Sequence, residues 1–151
     1  MFHLMRHGEA SWAADTDSQR PLSAAGKAQL MLLAANQTQL FRPVQKIICS
    51  PYLRTRQSAQ LIAQQFEGIE ILCERDLTPE SSPAKALLAI ERHWCDNLLV
   101  VTHQPLIGNL ISLLEQADLH YPEPVVPGSV YSYVMDWPGP GCAQRHSLHL
   151  S

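Results

Sequence analysis

Apolar positions along the chain fall into two kinds of run: short continuous stretches of strand length, and longer ones that repeat every three or four residues. Residues 2–6 form the first short run, and His7-Gly8 closes it with the punctuation expected where a strand enters a loop. After a polar loop containing Asp15, Asp17 and Ser18, Ser23 is placed to cap a helix. In that helix Ala25, Ala28, Leu32 and Ala35 recur at helical spacing, out to about Leu40. Residues 46–50 read as a second buried strand, with Ser50-Pro51 as an N-cap followed by proline at the first helical position. Behind it Ala59, Ile62, Ala63 and Phe66 share one helical face, and Arg54 lies in the first turn.

Residues 69–73 read as a third strand, and Ser82-Pro83 opens a helix to about His93. Residues 97–102 are the most apolar strand, with His103 directly after it, and a helix from Pro105 buries Leu106, Leu110, Ile111 and Leu114. A proline-rich connector, 121–128, leads to two closing strands near 129–136 and 144–150. No repeat or linker interrupts this order, so residues 1–151 are expected to form one domain. Strands alternating with helices predict an α/β fold: a three-layer α/β/α sandwich with a mostly parallel central sheet and an antiparallel edge at the C-terminal hairpin. In such sheets ligands bind outside the carboxyl ends of the strands. Arg6-His7, Ser50 and Thr102-His103 all occupy such ends.

Composition narrows the picture by exclusion. An apolar fraction of 46% with 17% charged residues is that of a soluble globular protein. No apolar run approaches the ~20 residues of a membrane helix, so no membrane span is expected. The first residues lack a basic head followed by a long apolar stretch, which points to the cytoplasm. Cys49, Cys73, Cys95 and Cys142 lie far apart, three of them in apolar segments, and are expected to be reduced structural residues. A net charge of −3 with scattered basic residues gives no footprint for a nucleic-acid partner. Against that background, Arg6, Arg20 and Arg54 fall in the same segments as the most interesting histidines and hint at a local anion site.

A histidine at a strand tip beside an arginine can accept a phosphoryl group, and Gly8 lets backbone approach phosphate closely. Taken alone, Arg6-His7-Gly8 reads equally as an ordinary loop histidine. Ser50-Pro51-Tyr52-Leu53-Arg54 adds a helix start with an arginine one turn in, and Thr102-His103-Gln104-Pro105-Leu106-Ile107-Gly108 repeats the strand-tip histidine. Together they gather two imidazoles and two or three guanidiniums at one sheet edge. A metal site on His3, His7 and His103 is the competing use of these rings, and the neighbouring arginines would repel the cation, so neither metal nor cofactor is expected. His93, His120, His146 and His149 read as incidental.

The strings Leu4-Met5-Arg6-His7-Gly8-Glu9, Arg20-Pro21-Leu22, Ser50 to Arg54 and Thr102 to Gly108 resemble the histidine phosphatase superfamily, and within it the bacterial SixA-type phosphohistidine phosphatases. The resemblance runs from residue 2 to about residue 114 and implies a phosphoglycerate-mutase-like fold. It also implies that His7 is the nucleophile, that Arg6 and Arg54 grip the phosphoryl oxygens, and that His103 completes the pocket. Arg20 either contacts substrate or buttresses the loop. Gly8, Ser50 and Glu80 are the remaining candidates for substrate binding.

An alkoxide leaving group needs a positioned acid, whereas imidazole, with a conjugate acid near ~6.5, needs little help. Many superfamily members carry an acid after the third strand in a longer motif that Asp76-Leu77-Thr78-Pro79-Glu80 does not reproduce. Asp76 or Glu80 either reaches the pocket or is an ordinary exposed loop carboxylate. The chain also has little material for a lid. An open pocket suits a phosphorylated protein, and the resemblance to SixA-type enzymes implies a histidine-phosphorylated protein such as a phosphotransfer domain as the partner; the chain itself is expected to be a monomer. Trp12 either touches that partner or packs on the core. The alternatives are a small-molecule phosphomonoesterase of the same superfamily and a module that recognises phosphate without hydrolysing it.

Overall fold

The computed structural model describes residues 1–150; Ser151, the last residue of the expected domain, lies outside the described residues. Six strands form one sheet: β1 (Phe2–Arg6), β2 (Lys46–Cys49), β3 (Glu70–Cys73), β4 (Leu98–Thr102), β5 (Val130–Val134) and β6 (Gln144–His149). Their order is β3-β2-β4-β1-β5-β6; the first four run parallel, and β5 and β6 pair antiparallel, as the alternating pattern predicts. Alternation along the strands gives the sheet two apolar faces. Phe2, Leu4, Ile48, Leu98 and Val100 pack beneath α4 (Pro83–Arg92) and α5 (Leu106–Gln116). Met5, Ile47, Cys49, Leu99 and Val101 pack beneath α1 (Ala24–Asn36), α2 (Thr38–Phe41) and α3 (Leu53–Ala63). The result is the α/β/α sandwich. Among the described residues no helix is long and apolar enough to cross a membrane.

Three local expectations are corrected. The face of α1 is wrong: Ala25, Ala28, Leu32 and Ala35 are exposed, and Gly26, Leu30, Leu33 and Ala34 are buried. Leu30 to Ala35 is apolar all round, so periodicity does not choose a side. Gly26 does, because a Cβ there would lie 2.3 Å from the Glu9 carbonyl oxygen and only glycine allows that approach. The expected single helix to Leu40 also breaks at Gln37 (φ −111°, ψ 41°), and the chain beyond turns Phe41 into the core.

The third correction concerns Ser50, which does not cap α3; Tyr52 holds that position. Ser50 Oγ instead accepts from the Tyr52 amide at 3.3 Å, and Thr55 Oγ1 donates to the Ser50 carbonyl at 2.8 Å. This is a serine turn placed ahead of the helix. Of the four free cysteines only Cys49 is a core residue; Cys73 and Cys142 are exposed and Cys95 is half-buried.

Candidate active site

Three strand ends meet where β1 stops. The His7 amide donates to the Thr102 carbonyl at 3.0 Å and the Arg6 amide to the Ser129 carbonyl at 3.1 Å, so β4 and the start of β5 clamp the first histidine. The His103 ring centroid lies 5.1 Å from that of His7, and Tyr52 meets His103 edge-on at 5.1 Å. Arg54, buried in the first turn of α3, donates from Nε to His7 Nε2 at 3.2 Å. The sequence-predicted convergence of His7, Arg54 and His103 is present.

The tautomer of His7 follows from two bonds. Its Nδ1 lies 2.6 Å from the Gly8 carbonyl, which can only accept, and its Nε2 faces the Arg54 Nε–H, which can only donate. The proton therefore sits on Nδ1, and the lone pair is on Nε2. Burial, reinforced by Arg54, Arg6 and Arg20 against the opposing Gly8 bond, lowers the His7 pKa to about 3, so the ring is neutral at physiological pH. His103 is lowered to about 2 by burial and then by His7, Arg54 and Arg6. Neither of its ring nitrogens has a partner in the protein. A buried polar group in that state is costly unless something else satisfies it.

Arg6 donates from Nη1 to the Val125 carbonyl of the connector, while its Nε is buried without a partner. Burial and the neighbouring Arg54 lower its pKa. Arg6, His7 and Arg54 wall a cleft of about 410 Å³ together with Trp12, Asp17, Arg20 and Gln104; His103, buried beside His7, is not one of its walls. Trp12 is 82% exposed, so it does not pack on the core. The Arg20 guanidinium stacks 3.5 Å above its ring and also donates to the Ser11 carbonyl.

The other candidates sit around this centre in different ways. Gly8 donates to Ser58 Oγ at 3.1 Å, and a Cβ on it would come within 2.8 Å of Leu30 Cδ1. Ser50 is wholly buried within its turn. Glu80 is exposed, does not line the cleft, and accepts from the Tyr52 hydroxyl at 3.0 Å. Asp76 is turned toward Arg92. His3 bonds Ser132 and lines a separate cavity with His146 and His149, so it does not join His7 and His103. Among the described residues no group of three or more His, Cys, Asp or Glu side chains is arranged to hold a metal ion.

The sequence reading missed Asp17 as a site residue. From the short 3-10 turn Asp17–Gln19 its carboxylate reaches Arg54 Nη2 and Arg20 Nη1, each at 3.1 Å, and its carbonyl accepts from Arg54 Nη1 at 2.7 Å. The signal available was an aspartate three residues before the arginine of Arg20-Pro21-Leu22, which is too short to stand out.

Comparison with known proteins places this arrangement. Residues 2–79 match the family model of the histidine phosphatase superfamily, branch 1. Phosphohistidine phosphatase SixA of Escherichia coli K12 is 27% identical over 118 residues, covering 74% of this chain and 71% of that protein. Probable phosphoglycerate mutase GpmB of Escherichia coli O1:K1 is 39% identical over 126 residues, covering 77% of this chain and 57% of its own. The solved structure of the protein histidine phosphatase SixA complexed with tungstate superposes with a TM-score of 0.84 at 23% identity, covering 97% of this chain and 94% of that one. With the family match spanning more than half its length and the whole chain superposing on a SixA structure, the chain belongs to the histidine phosphatase superfamily as a SixA-like phosphatase.

Proposed function

We propose that the protein is a phosphohistidine phosphatase, acting as a single domain and a monomer in the cytoplasm on a histidine-phosphorylated protein such as a phosphotransfer domain. The observation that carries this reading is His7, locked neutral with its Nε2 lone pair beside Arg54 and a second, unpartnered imidazole 5.1 Å away. The substrate ring, its distal nitrogen protonated from solvent, is the leaving group: His7 Nε2 attacks phosphorus, the P–N bond to that ring breaks, and the electron pair stays on the ring nitrogen, so neutral imidazole departs. Water then attacks the phosphoryl group on His7; the P–Nε2 bond breaks with its pair returning to Nε2, inorganic phosphate leaves, and the attacking water gives up a proton.

Through both steps Nδ1–H keeps its bond to the Gly8 carbonyl. Arg6, Arg54 and the N–H of neutral His103 donate to the equatorial oxygens, supplying the charge stabilisation on which phosphoryl transfer depends. Gly8 and Ser50 shape the backbone around them, Arg20 holds the rim, and Glu80 stands nearby through Tyr52.

Leaving-group chemistry favours phosphohistidine. Of the carboxylates lining the cleft, Glu9 is taken up by Ser23 Oγ, from which it accepts at 2.6 Å, and Asp17 is ion-paired to Arg54 and Arg20, so neither is placed to hand a proton to a leaving group. Imidazole leaves without one. The exposed Trp12 at the cleft edge suits a protein surface better than an enclosed metabolite. Similarity to GpmB favours, as the second reading, a small-molecule phosphomonoesterase.

The test is to incubate wild type and His7→Ala with a phosphohistidine-bearing protein and with p-nitrophenyl phosphate, following phosphate release and acid-labile, base-stable label. Faster release from phosphohistidine, label on wild type and neither in His7→Ala are expected. Equal or faster turnover of the ester overturns the substrate, and an active His7→Ala protein overturns the mechanism.

A further inference from the structure

Arg54 is the most committed donor in the cleft. Its Nε serves His7, its Nη1 the Asp17 carbonyl and its Nη2 the Asp17 carboxylate. The other oxygen of that carboxylate goes to Arg20, whose side chain is only 15% exposed, whereas Asp17 is 53% exposed on a three-residue turn. An anion of this chain thus holds the guanidinium assigned to the phosphoryl group. Burial alone would raise the Asp17 pKa, and the hydrogen bonds from Arg54 and Arg20 outweigh it, so the group is an anion at neutral pH.

We propose that Asp17 is a specificity-determining residue: its carboxylate competes with the phosphoryl group for Arg54 and, once displaced while still held by Arg20, faces the leaving group and selects imidazole. This rests on the phosphohistidine reading. A dianionic phosphoryl group and an anionic carboxylate repel each other on one guanidinium, so phosphoryl binding moves the carboxylate toward the cleft mouth. There it repels a leaving group that carries its own negative charge. A phosphohistidine ring departs best with its distal nitrogen protonated, and that N–H is a cationic donor for which a carboxylate is the matching acceptor. A neutral alcohol offers no such return for the broken Arg54 pair. The main-chain bond from Arg54 to the Asp17 carbonyl does not depend on the side chain, so replacing the carboxylate leaves the turn docked.

The test uses Asp17→Asn, with Asp17→Ala as a second variant to separate charge from hydrogen-bonding capacity. Inorganic phosphate binding by calorimetry and kcat/KM on a phosphohistidine peptide and on p-nitrophenyl phosphate are measured for each protein. In both variants phosphate binding should tighten roughly three- to tenfold, and the ratio of peptide to ester turnover should fall about tenfold. Unchanged or weaker phosphate binding overturns the competition, and an equal loss on both substrates, the mark of a merely structural residue, overturns the selectivity. Failure of the underlying reading is distinct: it would show in wild type itself as preference for the ester.

Discussion

His3, His7 and His103 are buried with pKa values lowered to about 4, about 3 and about 2, in each case chiefly by burial. In an unfolded chain histidine titrates near ~6.5. Below that pH the unfolded chain binds protons that the native rings refuse, so stability is full above ~6.5 and is lost as pH falls toward the native values. Each ring costs up to ~1.4 kcal/mol per pH unit across that window. Urea midpoints should therefore drop clearly between pH 7.5 and 5.5, and His3→Gln, remote from the cleft, should lessen the drop; equal midpoints would contradict the burial of neutral rings. Arg54→Lys should reduce kcat by roughly a hundredfold in steady-state assays, because one ammonium cannot replace a planar fork facing His7 and the phosphoryl oxygens. The imidazoles and guanidiniums were legible because each stands at a strand tip or helix start. Asp17 was not, since its importance arises from a fold that brings residue 17 against residue 54.

At the level of elements, all six strands and α1, α3, α4 and α5 follow from apolar periodicity, α2 being merged there with α1, and Ser82 caps α4 as its sequence indicates, accepting from the Lys85 amide at 3.3 Å. What periodicity did not carry was which face of α1 turns inward, since contact with the Glu9 backbone decides it. Gly26→Ala should cost about 1–3 kcal/mol in urea unfolding, because the methyl must push backbone, not a side chain. Gly8→Ala, whose nearest contact at 2.8 Å is the flexible end of Leu30, should cost less; the reverse ranking would mean that the loop after His7 does not rest on α1. The role of Ser50 was illegible for a related reason. A serine before proline fits a helix cap and a turn equally, and the Thr55 hydroxyl decides between them by bonding the Ser50 and Tyr52 carbonyls.

Across the whole molecule, the final 37 residues, which offered little chemistry as sequence, brace the cleft. Glu123 receives Gln104 Nε2 on its carbonyl and Tyr131 and Arg145 on its carboxylate, fixing the connector whose Val125 carbonyl holds Arg6. Glu123→Ala should lower kcat/KM by roughly three- to tenfold through misplacement of Arg6. Steady-state rates would check this, and an unaltered rate would uncouple the connector from the cleft. The same topology bears on how the chain is made. β1, which precedes the other five strands along the chain, lies between β4 and β5, so its two edges find their neighbours only after residues 98–102 and 130–134 have emerged. Until then an apolar ribbon leading into His7 waits unpaired on the nascent polypeptide, a slow, long-range closure. A product ending after α5 would contain His7, Arg54 and His103 yet leave that ribbon open along one side, prone to sticking to its neighbours.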